Sequence, residues 1–160
     1  MIILKEYLDP YEEQIMRAEK DALRVYEKPF KTYDGRIKGN KICIRRDMPQ
    51  IKKACILAEE RGHFHTCTSN LLESSEISND KLEIKGRRWA HNEMIGLRGL
   101  TSAYNRHCET LEEMADYLNV TEEFLLEALD AYREIYGTGI HFDSYYISFE
   151  PYFVVYKIMD

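Results

Sequence analysis

The sequence lacks the long apolar run and the paired cysteines that would place it in a membrane or around a cysteine-rich metal site. No apolar stretch approaches the ~20 residues that a membrane-spanning helix requires, and the N-terminal Met-Ile-Ile-Leu is too short for a secretory signal. The four cysteines include no Cys-x-x-Cys pair, so we expect reduced thiols in a cytoplasmic protein. The net charge of −6 argues against a surface built mainly to bind phosphates.

The length of the chain suits one globular domain with a substantial core. Its 160 residues are 44% hydrophobic and 31% charged, which is ordinary for a soluble protein. No internal repeat is visible. We expect a single compact unit with a core over residues 1–97 and a C-terminal extension over 98–160.

Periodicity and capping signals predict an α+β order of elements. Apolar spacing, turn residues and Thr caps indicate where helices and strands begin and end. The predicted helices are Pro10–Leu23, Pro49–Cys67, Lys81–Ile95, Leu100–His107, Thr110–Leu118 and Thr121–Tyr136, and the predicted strands are Arg24–Tyr26, a hairpin over Ile37–Arg46, Ile140–Phe142, Tyr145–Phe149 and Tyr152–Met159. The Ser- and Asn-rich residues 68–80 are predicted to form a loop, and Gly96 and Gly99 to end the third helix.

The chain is organised around the helix that contains Lys53–His65. The run Ala54–Ala58 is apolar on every side, which predicts a helix segment buried all round. Glu59 and His63 follow at i and i+4 on one face, with Glu60 beside them. Buried carboxylates must be paired, protonated or bound to a cation, and this spacing is that of a helix-borne metal site with a glutamate as general base.

The same residues are also consistent with a solvent-exposed helix face that binds no metal. Glu-Glu-x-x-His occurs on many solvated helix faces, where the residues form i,i+4 pairs. A metal site needs a further ligand, and Glu83, near the start of the next helix, is the best candidate. Glu83 could equally cap its helix and face water. His65 points away from His63 on the helix, and we expect His91 to be packed or exposed and His107 and His141 to be structural.

Two segments together resemble the ImmA/IrrE family of metallo-endopeptidases. Leu57-Ala58-Glu59-Glu60-Arg61-Gly62-His63 is similar to the family's His-Glu-x-Gly-His helix, and the segment from Glu83 to Ala90 is similar to its second signature, a Glu followed by x-x-Ala-Asn-x-Phe-Ala. The order and spacing of the two segments fit, and the resemblance covers most of the first 97 residues. It implies a zincin-like core made of an N-terminal helix, a small antiparallel sheet, the active-site helix and a second ligand helix. A C-terminal helical extension and a terminal β-hairpin would follow this core.

Carried over position by position, the resemblance implies that His63 and Glu83 are zinc ligands and that Glu60 is the catalytic base. Glu59 stands where the motif has its first histidine, and it would be the third metal ligand. Short members from mobile elements resemble this chain in having Ala-Glu-Glu here. Two carboxylates and one imidazole would also suit a harder metal such as manganese. Gly86 and Arg87 replace the Ala and Asn of the second signature.

Residues 110–129 resemble a helix-turn-helix, but their charge does not suit DNA. Between Glu109 and Tyr136 there are nine acidic residues and one basic residue, Arg133. Phosphates would repel this surface. We therefore expect a protein-contact or stabilising module that does not bind nucleic acid directly.

The resemblance implies a peptidase of a prophage or conjugative element that cleaves a partner helix-turn-helix repressor. The alternative hypothesis is a binding protein with the same fold that recognises a repressor without cleaving it. A DNA-binding regulator is a third, weaker hypothesis. The cofactor expected for the first is one divalent metal ion, zinc or manganese.

Overall fold

The computed structural model describes residues 8–70 and 79–159, and over these residues the chain forms six helices and two three-stranded sheets. The helices are α1 (Pro10–Lys20), α2 (Gln50–Asn70), α3 (Asn79–Met94), α4 (Gly96–Asn105), α5 (Leu111–Leu118) and α6 (Glu122–Tyr136). The strands are β1 (Arg24–Lys28), β2 (Gly35–Lys38), β3 (Lys41–Arg45), β4 (Gly139–Phe142), β5 (Tyr145–Ser148) and β6 (Val154–Lys157). The fold is α+β, as predicted. Within the described residues, none of the helices is both long and apolar enough to cross a membrane.

Local capping chemistry fixes several helix ends where the sequence places them. Asp9 and Thr110 form capping boxes with Glu12 and Glu113, and Thr121 accepts a hydrogen bond from the backbone of α6. These side chains satisfy N–H groups that have no partner inside the helix. Asn119 ends α5 in the left-handed conformation at φ 54°, and Gly137 ends α6 at φ 67°; Asn and Gly are the residue types that tolerate a positive φ at a C-cap.

The N-terminal sheet is mixed, so the expected antiparallel sheet is wrong in part. β2 and β3 form the predicted antiparallel hairpin, but β1 pairs with β3 in parallel, giving the order β1-β3-β2. The chain reverses once between β1 and β2 and again in the hairpin, so β1 and β3 run the same way. Ile42 and Ile44 on the central strand are fully buried and face α1 and α2.

The C-terminal strands form a three-stranded antiparallel sheet where a hairpin was expected. Its order is β4-β5-β6, with each strand paired to the next in sequence. Ile147 on the central strand is fully buried against the helices. The extra strand pairing covers both edges of β5.

Two helix predictions also need correction. α2 continues through Asn70 and α3 already begins at Asn79, so the predicted loop is helical at both ends, while its residues 71–78 lie outside the described part of the chain. Gly99 lies inside α4 and breaks nothing, whereas Gly96 begins that helix with φ +63°. Ile84 on α3 is 48% exposed, because it lies on the outer face of that helix.

Buried side chains form two clusters that meet at α2. One cluster joins α1, the N-terminal sheet and one face of α2, including Leu57. The other joins the opposite face of α2, including Ala58, to the remaining helices and the C-terminal sheet. The predicted all-round burial of this helix segment is therefore confirmed, with Ala54, Cys55, Leu57 and Ala58 all buried. The carboxylates that follow sit at the end of a segment enclosed on two sides.

Candidate active site

α2 and α3 approach each other so closely that glycine is required on both helices. A Cβ on Gly62 would overlap the backbone carbonyl of Gly86, and a Cβ on Gly86 would overlap the imidazole of His63. Glycine permits such a backbone approach because it has no side chain. The crossing explains why Gly62, a poor helix former, lies inside α2, and it places the His63 ring directly against the backbone of α3.

His63 and Glu83 are in contact across this crossing. The His63 Nε2 atom lies 3.2 Å from the Glu83 Oε2 atom, and the other oxygen of Glu83 lies 3.3 Å from the Nε atom of Arg87. Glu83 is half exposed but does not cap its helix, because α3 begins four residues earlier at Asn79. α3 therefore brings the Glu83 carboxylate to the His63 ring, and the role of the two residues as metal ligands stays a prediction.

Glu60 lies between α2 and the edge strand β2. A Cβ added to Gly35 on β2 would lie 3.3 Å from the Glu60 Cγ atom. The pKa of Glu60 is raised to about 7, chiefly by burial and also by the negative charge of Glu83, while a hydrogen bond from the Ile37 backbone acts in the opposite direction. A carboxyl group with this pKa exchanges protons readily near neutral pH.

Glu59 faces a small polar cavity toward α6. Burial raises the pKa of Glu59 to about 7, with Arg87 opposing the shift and the charges of Glu127, Glu60 and Glu83 adding to it. The cavity has a volume of about 190 Å³ and is lined also by Glu127 and Cys55. The spacing of residues within α2 did not indicate that the Glu127 carboxylate of α6 would lie near Glu59, because that proximity depends on how α2 and α6 pack.

The four predicted site residues thus lie in one region but do not form one tight ligand set. His63 and Glu83 are in contact. The negative charge of Glu83 raises the pKa of both Glu60 and Glu59, but Glu59 lines the cavity toward α6. Over residues 8–70 and 79–159, no three His, Cys, Asp or Glu side chains are close enough together to hold one metal ion.

The His63–Glu83 pair supplies two of the donor types that a divalent ion takes. A tetrahedral zinc ion lies about 2.0–2.2 Å from its nitrogen and oxygen ligands, which places two such ligands roughly 3.3–3.6 Å apart. The observed separation of 3.2 Å is close to this range and is also that of a direct hydrogen bond between the two side chains. A small movement of the pair would admit a cation, whereas Glu59 lines the cavity toward α6 and would have to turn toward the pair to join it.

A buried arginine next to the site was not anticipated from the sequence. Arg61 is 4% exposed, donates two hydrogen bonds to Asp21 at 3.2 and 3.0 Å, and donates a third to Gln14 at 2.9 Å. Its guanidinium also lies 5.1 Å from the centre of the Trp89 ring. This network ties α2 to α1 and α3 on the face opposite the cavity.

The other histidines lie away from the site. His65 lies 2.9 Å from the Asp21 carboxylate and stacks on Trp89, so it does point away from His63 as predicted. His91 is 3% exposed and packs edge-on against Phe124. His141 is exposed on β4 and contacts Tyr146.

Comparison with known proteins gives one match. Residues 18–130 match the model of a peptidase family, M78, described as the IrrE N-terminal-like domain. The matched range includes Glu59, Glu60, His63 and Glu83 and continues through most of α6. No curated protein and no solved structure matches the chain at a significant level.

Proposed function

The chain belongs to the peptidase M78 family of IrrE N-terminal-like domains, and from this membership we propose that it is a metal-dependent endopeptidase. The observation that carries the proposal is the contact between the His63 Nε2 atom and the Glu83 carboxylate, 3.2 Å apart, beside Glu60. The geometry supports the family-level activity because a cation-binding pair and a carboxyl group with a pKa of about 7 lie together.

His63 and Glu83 would hold the metal ion, with Glu59 as the third ligand. When bound, a divalent ion would polarise a peptide carbonyl and lower the pKa of a water molecule, so that this water could lose a proton near neutral pH and attack the carbonyl carbon. Zinc suits a nitrogen-and-oxygen ligand set, and manganese is the alternative because carboxylates outnumber the imidazole.

Glu60 would move the proton in this reaction. Burial and the charge of Glu83 raise the pKa of Glu60 to about 7 in the metal-free chain. A cation held by Glu83 would lower this pKa again, so Glu60 would be ionised at neutral pH and could accept a proton from the attacking water. The resulting carboxylic acid then delivers the proton to the amine that leaves when the peptide bond breaks.

We further propose that the substrate is a helix-turn-helix repressor and that the chain is encoded on a prophage or conjugative element. The support is the resemblance of the Ala-Glu-Glu sequence at Ala58–Glu60 to short mobile-element members of the family. The acidic surface of residues 109–136 also favours a protein partner over direct contact with DNA.

A Glu60→Gln variant tests the proposal. We expect the wild-type chain, loaded with zinc or manganese, to cleave a co-expressed helix-turn-helix repressor from the same genetic element. Glu60→Gln should retain the metal but lose cleavage by more than about 100-fold. Glu112→Gln, an exposed change on α5, is the matched control and should cleave like the wild type. A metal-loaded wild type that binds the repressor and leaves it intact would contradict the proposal.

A further inference from the structure

An open apolar groove lies in the C-terminal half of the chain, away from the candidate active site. It has a volume of about 620 Å³ and lies between α4, α5, α6 and the segment that leads into β6. None of Glu59, Glu60, His63 and Glu83 lines it. We refer to it as the C-terminal groove.

The floor of the C-terminal groove is part of the hydrophobic core, while its rim is exposed. Leu100, Met114 and Phe149 form the floor and are buried. On the rim, Leu126 is 46% exposed and Tyr152 is 76% exposed. Apolar side chains that are gathered around a concave surface and left in water are typical of an interaction site.

The rim carries negative charge that selects the kind of partner. Glu109 and Asp130 lie on it from two sides, and among the described lining residues Arg133 is the one base. Arg133 is already 3.2 Å from Asp130 and 3.9 Å from Glu150, so the carboxylate of Glu109 has no compensating cation there. A segment with positive charge would be attracted to this rim and an acidic one repelled.

We propose that the C-terminal groove is the docking surface for the protein partner and takes a polypeptide segment with large apolar side chains flanked by Lys or Arg. The apolar side chains would fill the floor, and the basic ones would meet Glu109, because Asp130 already pairs with Arg133. The open shape and exposed rim suit a polypeptide better than an enclosed small molecule. DNA-binding proteins carry basic residues, so this chemistry matches the repressor class. The identification of the docked partner as the substrate rests on the proposed function.

Peptide binding to the full chain tests the groove directly. The probe is a fluorescent synthetic peptide made only of leucine and lysine, measured by fluorescence anisotropy. We expect it to bind, and the matched peptides with Glu for Lys or Ser for Leu to bind at least about tenfold more weakly. Equal binding of the Ser-for-Leu peptide would overturn the proposal, because contact would then be electrostatic only.

Matched surface variants locate the binding. Leu126→Ser should weaken binding about tenfold, whereas Ile135→Ser, on the same helix and 45% exposed but outside the groove, should not. Glu109→Gln should weaken binding more than Glu112→Gln, because only Glu109 lines the groove. Circular dichroism confirms that each variant is folded. Equal effects within either pair would overturn the proposal.

Two further measurements separate this proposal from the peptidase proposal. Binding is measured in the Glu60→Gln chain, so it requires no cleavage. If the wild type cleaves no repressor while binding still depends on Leu126, the peptidase proposal fails and the docking surface stands. If a Leu126→Ser, Tyr152→Ala double variant cleaves the repressor at the wild-type rate, the docking surface is wrong and the peptidase stands.

Discussion

Gly62 on α2 lies directly against the backbone of Gly86 on α3, with no room for a methyl group between them. This single relationship sets the distance between the helix that carries His63 and the helix that carries Glu83. Because the two side chains extend from opposite sides of the crossing, their contact depends on how closely the backbones approach. The glycines therefore contribute to the site although neither has a functional group.

Gly62→Ala should destabilise the protein although alanine is the better helix former. The substitution would gain about 1 kcal/mol in helix propensity but would push the methyl group into the Gly86 carbonyl, for a net cost of ~1–3 kcal/mol. Urea unfolding followed by circular dichroism measures the difference. Gly99→Ala in α4 is the control, because the tightest contact of its Cβ would be the flexible Leu118 side chain at 3.2 Å, with Ile95 at an ordinary 3.5 Å. A Gly62→Ala chain as stable as the Gly99→Ala chain would contradict this explanation.

Removing either member of the contacting pair should remove the metal. We expect His63→Ala and Glu83→Gln each to lower zinc or manganese content after dialysis by at least about tenfold, because the ion loses one of its ligands. Elemental analysis of the purified chain gives the stoichiometry. His141→Ala, an exposed histidine on β4, should keep the wild-type metal content. Unchanged metal content in both His63→Ala and Glu83→Gln would place the ion elsewhere.

Local signals in the sequence were sufficient for most elements and for part of the site. The apolar run before Glu59 indicated a buried helix, and the Thr110 and Thr121 caps gave the starts of α5 and α6. The sequence also offered Glu83 as a candidate partner of His63, because the helix face of His63 and the return of the chain were both evident, but it left open that Glu83 faces water. Each of these inferences uses residues that are close in sequence or a single connection.

The remaining features depend on packing between distant segments, which spacing does not encode. The parallel pairing of β1 with β3 follows from the path of the chain, not from either strand's composition. Likewise, nothing near Glu59 indicated that it would face Glu127 of α6, or that Arg61 would bury its charge on Asp21. A charged residue in a sequence looks the same whether its partner lies across the core or in water.

Arg61→Met should be among the most destabilising single changes outside the apolar core. It leaves the partly buried Asp21 carboxylate, whose pKa burial alone would raise but which hydrogen bonds from His65 and Arg61 lower, with His65 as its remaining partner. It also removes the hydrogen bond to Gln14, so the expected cost is about 1–3 kcal/mol. The free energy of unfolding in urea measures it.

The matched control for Arg61→Met is Arg17→Met. Arg17 also bonds to Glu93, at 2.6 Å, but its side chain is 41% exposed. An exposed pair is worth about 0–1 kcal/mol, so Arg17→Met should have little effect. A similar loss in the free energy of unfolding for the two variants would mean that the burial of Arg61 adds nothing to the stability that its ion pairs provide.

His91 should make the folded state sensitive to mild acid, and His91→Leu should reduce that sensitivity. Burial lowers the pKa of His91 from 6.5 to about 4, with the positive charges of Arg87 and Arg88 adding to the shift, and neither ring nitrogen has a hydrogen-bond partner among the described residues. Below pH 6.5 His91 takes up a proton in the unfolded chain but stays neutral in the folded chain, so the free energy of unfolding falls as the pH drops from 6.5 toward 4. Between pH 7 and pH 5 the wild type should lose about 2 kcal/mol more than His91→Leu, measured by urea unfolding at each pH. His141→Leu, which removes an exposed histidine, should follow the wild-type curve, and parallel curves for wild type and His91→Leu would show that His91 is not the group responsible.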